Sequence, residues 1–162
     1  MVKEYEIVFN NKFKPELKLL TVYDADNKEP VENIFEIVDG LNKGTCICES
    51  ISEKAYVAAF DSEGYLIGCY LISKGDSKEC SIYHKQLTIF LTLTGAQSFI
   101  VFHNHPNNAY IASKGDYSSN NAVSRIAELL DIEFIGSYIV TRKGIYSYLN
   151  HEDTWHPFKK EV

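Results

Sequence analysis

The segment Ser98-Phe99-Ile100-Val101-Phe102-His103-Asn104-His105-Pro106 sets four consecutive apolar residues directly against two histidines and a proline. A short apolar run bounded in this way predicts a buried strand. Side chains two apart on a strand project to the same face, so His103 and His105 can present their imidazoles side by side. Pro106 cannot extend the hydrogen-bond ladder and ends the strand there. Borderline cations such as zinc favour imidazole nitrogen, and one carboxylate completes three protein ligands with water in the fourth position. Asp116, eleven residues beyond His105, is the natural third ligand.

A polar loop follows Pro106, and Ser113 opens a predicted helix carrying Tyr117, Ala122, Ile126, Leu129 and Leu130. Ser113 stands three residues before Asp116, the spacing of a capping box in which each side chain satisfies a backbone donor of the other. Capping and ligation are compatible, because the cap holds Asp116 in the first helical turn, facing the strand end.

Working outward, Tyr83 to Thr94 reads as a helix with Leu87, Phe90 and Leu91 on one face and Gly95 as its stop. Ala55 to Phe60 and Tyr65 to Ile72 are apolar runs across the turn Asp61-Ser62-Glu63-Gly64, which predicts a buried β-hairpin. Phe134 to Thr141 and Ile145 to Leu149 read as strands about the turn Arg142-Lys143-Gly144. Upstream, Glu4 to Phe9 and Leu17 to Tyr23 read as strands, and Asp24-Ala25-Asp26-Asn27 as a turn. Pro30, Val31, Ile34, Phe35 and Val38 have helical spacing, with Gly40 as a stop. The fold class expected is α/β in the mixed α+β sense: a central, mixed, twisted sheet flanked by helices, with the metal site where a strand ends and a helix begins. Residues 1–29 read as an N-terminal extension packed on the same domain, 30–149 as the domain proper and 150–162 as a tail.

Composition narrows the function classes. The chain has 162 residues, 45% hydrophobic, with 16 Lys+Arg against 22 Asp+Glu and a net charge of −6. That length suits one compact domain, and the acidic balance argues against direct nucleic-acid binding. No apolar run is long enough for a membrane span, and the first residues lack an apolar signal core, so a cytoplasmic protein is expected. Cys46, Cys48, Cys69 and Cys80 read as reduced thiols. On a strand, Cys46-Ile47-Cys48 would place two sulfurs on one face, although packing explains small apolar thiols equally well. His84 reads as a capping or solvated residue, and His151 and His156 as part of a polar surface tail whose Trp155 and Phe158 pack onto the domain or another subunit. Phosphate-loop, nucleophile-elbow, HExxH and deaminase motifs are absent from the sequence.

His103-Asn104-His105-Pro106, then Ser113 and Asp116, with Glu53 upstream at the start of a buried strand, resembles the JAB/MPN (JAMM) metalloprotease signature. The resemblance is closer to its bacterial RadC-like branch, whose hallmark is His-Asn-His-Pro, and it runs from about Pro30 to Leu149. It implies one zinc ion per chain held by His103, His105 and Asp116, with Glu53 as general acid/base and Ser113 steadying an oxyanion. The implied activity is hydrolysis of a peptide or isopeptide bond, with a peptide or protein substrate such as a ubiquitin-like or other isopeptide-linked tail. The alternative carried by the same resemblance is a DNA-repair or mobile-element-associated protein acting through DNA or protein binding, without peptidase activity. Oligomeric state is open. The chain departs from the RadC-like pattern at the loop 107–112, at Lys85-Gln86 and at Gly136-Ser137, none of them an implied ligand.

Overall fold

The computed structural model describes residues 1–24, 30, 33–75, 82–148 and 154–158. Eight strands form one sheet: β1 (Val2–Phe9), β2 (Pro15–Tyr23), β3 (Glu53–Phe60), β4 (Leu66–Gly75), β5 (Ser98–Asn104), β6 (Glu133–Val140), β7 (Gly144–Ser147) and β8 (Thr154–Pro157). Their order across the sheet is β2-β1-β4-β3-β5-β6-β7-β8. The β1–β4 and β5–β6 pairs are parallel and the others antiparallel, so the sheet is mixed, as the hairpins predict.

Three helices cover it: α1 (Ile34–Thr45) on one face, and α2 (His84–Thr94) and α3 (Lys114–Leu130) on the other. Strand alternation sorts the core between them. Tyr56, Ala58, Phe60, Ile100 and Phe102 pack with Ile37, Val38 and Leu41 of α1, while Ala55, Val57, Ala59, Phe99 and Val101 pack with α2 and α3. All seven residues of β5 are buried, because the strand is central and covered on both sides. Burying a side chain such as Phe99 or Phe102 contributes about 2–3 kcal/mol relative to leaving it in water.

The local details depart from expectation where burial outweighs intrinsic preference. Gly40 does not stop α1, which runs on to Thr45 and ends at Cys46 in the left-handed conformation. The cost of a mid-helix glycine, about 1 kcal/mol, is offset by burying Leu41 and Thr45 in the last turns. Cys46 and Cys48 therefore do not share a strand face: Ile47–Glu49 is a single 3₁₀ turn that buries Ile47. In α3 the buried residues are Val123 and Ala127, while Leu129 points to solvent at 86% exposure. His84 is the first residue of α2, with Tyr83 as its N-cap, and Gly95 closes that helix in the left-handed conformation.

Within the tail, Thr154–Pro157 form a strand, which the polar sequence hides. β8 pairs antiparallel with β7, His156 stacks on Phe35 of α1 at 4.8 Å, and Phe158 packs on the α1-side core. The last predicted strand ends at Ser147, and Leu149 lies outside the described residues. The turn at Ala25-Asp26-Asn27, Val31, Cys80 and His151 also lie outside them. Among the described residues, no helix is long and apolar enough to cross a membrane.

At the other flank, the β1–β2 hairpin joins the sheet through β1 and β4. Glu4, buried on β1, accepts a hydrogen bond from the Tyr23 hydroxyl, and burial together with that carboxylate holds the phenol protonated well above its usual range. The close approach of β1 to β4 requires Gly68, where an added Cβ would lie 2.5 Å from Tyr5 Cε2 and 2.6 Å from the Lys3 carbonyl oxygen. Gly68→Val is expected to lower stability by about 1–3 kcal/mol through overpacking. Urea denaturation measures it, and an unchanged midpoint would mean that the hairpin is not held at this contact.

Candidate metal centre

Three separate parts of the chain meet where β5 ends. His103 is the penultimate residue of β5 and only 4% exposed, and His105 follows just beyond the strand. Ala55 of β3 pairs with His103, and Glu53 lies two residues earlier on the same strand and hence on the same face. Glu53 is buried, at 7% exposure.

Asn104, between the histidines, points to the opposite side and ties the two strands' ends together. Its Oδ1 accepts from the Lys54 backbone N–H at 2.8 Å, and its Nδ2 donates to the carbonyls of Ser50 and Ser52 at 3.2 Å each. The amide therefore grips the chain on both sides of Glu53.

Asp116 arrives from α3. The Ser113 Oγ accepts from the Asp116 N–H at 3.1 Å, and Asp116 Oδ2 accepts from the Ser113 N–H at 2.6 Å, the reciprocal bonds of a capping box. The carboxylate is turned to the histidines, with Oδ1 3.2 Å from His103 Nε2 and Oδ2 3.5 Å from His105 Nε2. The two Nε2 atoms are 3.1 Å apart. Including Glu53, the ligand atoms of all four residues lie within 4.8 Å of one another.

This crowding has an electrostatic consequence. His105 Nδ1 donates to the Ala109 carbonyl at 2.8 Å, so in the neutral ring Nε2 is a bare acceptor aimed at another imidazole and a carboxylate. Such a convergence of acceptors requires a proton or a cation among them. Burial opposes charge at His105, but the Asp116 hydrogen bond and charge outweigh it and raise its pKa. Burial likewise works against ionised Asp116, yet hydrogen bonds from His103 and His105 hold its pKa well below the usual carboxylate range. Glu53 moves the other way: burial raises its pKa, Asp116 adds to that, and the two imidazoles only partly oppose it.

The donor set fits a small divalent cation. Ligands about 2.05 Å from a tetrahedral ion lie about 3.35 Å from each other; the two Nε2 atoms are 3.1 Å apart, and Asp116 offers Oδ1 at 3.2 Å to His103 and Oδ2 at 3.5 Å to His105. The His105 Nδ1 bond to a backbone carbonyl is the outer-shell contact that fixes a ligating tautomer. Ser113 is exposed, and its Oγ serves as the helix cap. The cap uses the hydroxyl as an acceptor, leaving its O–H to donate elsewhere.

Several residues around the cleft were not anticipated. Ser119, Asn120, Ser137 and Tyr148 line it beside Glu53, His103 and Asp116. Ser137 Oγ donates to Asn120 Oδ1 at 2.6 Å, and the buried Tyr148 ring meets His103 edge-on at 6.0 Å. They come from α3, β6 and the end of β7, and no local spacing marks them. Asn104 did carry a signal: between two same-face histidines, strand alternation sends it to the other side.

The RadC-like JAB domain family matches residues 32–154. A UPF0758 protein of Finegoldia magna is 25% identical over 154 residues, covering 90% of this chain and 66% of its own length. One from Janthinobacterium is 27% identical over 99 residues, covering 60% and 44%, and one from Thermotoga maritima is 25% identical over 122 residues, covering 73% and 55%. The chain thus spans about half to two thirds of these relatives' length. With residues 32–154 matched, most of its length, the chain belongs to the RadC-like JAB domain family.

Proposed function

We propose that the protein is a zinc-dependent hydrolase that cleaves a peptide or isopeptide bond, with His103, His105 and Asp116 as ligands, Glu53 as general acid/base and Ser113 as an oxyanion donor. The observation that carries this reading is the meeting of two imidazoles and two carboxylates of opposite pKa tendency at the end of β5. The chemistry of the donor set, nitrogen and carboxylate oxygen with no thiolate, supports zinc. Bound there, zinc supplies Lewis acidity and lowers the pKa of a water ligand from about 15.7 to about 7.

The protein groups perform the remaining work. Glu53, whose pKa is raised by burial, accepts the proton of the attacking water and returns it to the departing amine as the C–N bond breaks. Asp116, held ionised by its partners, keeps its charge throughout. The Ser113 O–H donates to the oxygen on which negative charge develops, from a position fixed by its cap to Asp116. The net charge of −6 favours a protein or peptide substrate over a nucleic acid, which needs a basic footprint.

Protein purified without added metal is expected to carry one zinc per chain by elemental analysis, and His103→Ala/His105→Ala to carry none while keeping its far-ultraviolet dichroism. A full complement of zinc in that variant would sink the ligand assignment. Glu53→Gln is expected to keep its zinc and lose turnover by about 10²–10⁴-fold; unchanged hydrolysis with full metal would refute the acid/base role. Ser113→Ala is expected to lower kcat by about 10²-fold and stability by about 1 kcal/mol. Ser113→Asp, which restores the cap acceptor without a donor, separates the two effects. It should recover stability but not kcat, and recovery of both would reduce Ser113 to a cap.

A further inference from the structure

The three implied ligands are held by different means. His103 is set by β5 itself and is 4% exposed, and Asp116 is set by the cap of α3. His105 lies just beyond the strand, where neither ladder nor helix fixes its ring. Its ring is steadied by the loop 107–112, and the hydrogen bonds of that loop decide which nitrogen it presents.

Two of these bonds close on His105 directly. Pro106 takes the second position of a tight turn, which its fixed φ favours, and the Asn108 N–H donates back to the His105 carbonyl at 2.9 Å. The ring is caught one residue later, where Nδ1 donates to the Ala109 carbonyl at 2.8 Å. Ala109 is exposed, so hydrogen bonds and not packing aim that carbonyl. On its other side the Ala109 N–H donates to Asn107 Oδ1 at 2.9 Å, a bond confined to the loop.

Asn108 reaches further than its neighbour. It stands at φ 57°, in the left-handed region, where glycine is the least strained choice and asparagine among the next. Its Oδ1 accepts from the Arg142 N–H at 3.1 Å, a partner 34 residues away in the turn between β6 and β7. That turn is a firm anchor. Thr141, 1% exposed, donates to the Gly144 carbonyl from its N–H at 3.0 Å and from its Oγ1 at 3.1 Å, and the Lys143 carbonyl accepts from the Phe158 N–H at 3.0 Å. A glycine would meet the backbone demand at position 108 but could not bond to Arg142. The side chain is therefore explained by the tether and not by the bend.

A continuous run of hydrogen bonds and chain thus connects the β6–β7 turn, Asn108, Ala109 and His105 Nδ1. The far nitrogen of the same ring, Nε2, faces Asp116 Oδ2 at 3.5 Å and His103 Nε2 at 3.1 Å.

We propose that Asn108 is a positioning residue of the metal centre, whose tether to the Arg142 N–H holds the Ala109 carbonyl on His105 Nδ1 and so keeps Nε2 turned to the other ligands. The inference rests on His105 being a ligand and is indifferent to what the protein hydrolyses. Asn108 itself ligates nothing. Outer-shell partners of a ligating histidine fix its tautomer and ring orientation, and losing one costs about 10–100-fold in metal affinity. Here that partner is a backbone carbonyl, which every residue type carries, so the sequence controls its aim and not its presence.

Zinc affinity of the full chain is measured by competition with a chromophoric chelator. Asn108→Gly keeps the left-handed bend and loses the acceptor. It is expected to bind zinc about tenfold or more weakly, while the urea midpoint of the metal-free protein stays near wild type. Asn108→Asp restores an acceptor at the same atom and is expected to recover wild-type affinity. That comparison is made in about 1 M salt, where a Debye length of about 3 Å screens the added charge. The ring reports the same event: in zinc-saturated wild type the His105 Nδ1 proton should be visible by nitrogen-edited NMR, and in zinc-saturated Asn108→Gly exchange with water should broaden it away. Wild-type affinity in Asn108→Gly, no recovery in Asn108→Asp, or a loss of affinity matched by a fall in the metal-free midpoint overturns the positioning role. Wild-type zinc affinity no better than that of His103→Ala/His105→Ala overturns the ligand reading, and the proposal with it. The expected pattern of zinc binding in a chain that cleaves no peptide supports the proposal and counts against the peptidase reading.

Discussion

A buried amide that ligates nothing holds the site together. Asn104 spends all three of its hydrogen bonds on the backbone between Ser50 and Lys54, and so fixes the entrance of β3 against the end of β5. At 1% exposure it has no recourse to water, and each orphaned partner would cost about 1–3 kcal/mol. The β3–β5 register is therefore specified at its end as well as along its length. A slip of one residue would turn Glu53 away from the imidazoles and toward the α1 side of the sheet. The pairing of Ala55 with His103, on which the whole cluster depends, is secured by this clamp.

The third segment is positioned by a different device. Asp116 is brought in by helix capping, with its carboxylate engaged through Oδ2 to the Ser113 N–H while both oxygens face the histidines. A cap and a ligand ordinarily make separate demands on a carboxylate. Here the same geometry meets both, because the N-terminus of α3 stands at the end of β5. The positive end of that helix dipole also favours the ionised form of Asp116. Stability of the helix and readiness of the site are thus coupled through one residue pair.

How much of this could be read in advance followed from how local each signal was. The β5 strand, the β3–β4 hairpin, α2 with its Gly95 stop and the Ser113 cap are encoded by periodicity and turn chemistry within a few residues, and all stand in the structure. The run of α1 through Gly40 is decided by the core that Leu41 enters, and β8 by pairing with β7, neither of which leaves a local trace. His103, His105 and Asp116 were legible because strand period and capping spacing both have chemical meaning. Glu53 is fifty residues upstream of His103, and its place in the cluster came from the resemblance. Ser137, Asn120 and Tyr148 converge only through tertiary folding.

The two carboxylates of the cluster show why that convergence matters. Both are partly or wholly withdrawn from water, yet their pKa values move in opposite directions. Asp116 has hydrogen-bond donors on every side: two imidazoles, and a backbone N–H at the start of a helix. Glu53 has no such donor among the described residues and feels burial and the charge of Asp116 instead, which the two imidazoles only partly oppose. One environment favours a permanent charge, suited to holding a cation. The other disfavours the charged form, and so suits a group that takes up a proton and gives it back. The proposed roles are thus assigned by surroundings rather than by residue type, and exchanging Asp for Glu at either position would disturb the separation as well as the reach.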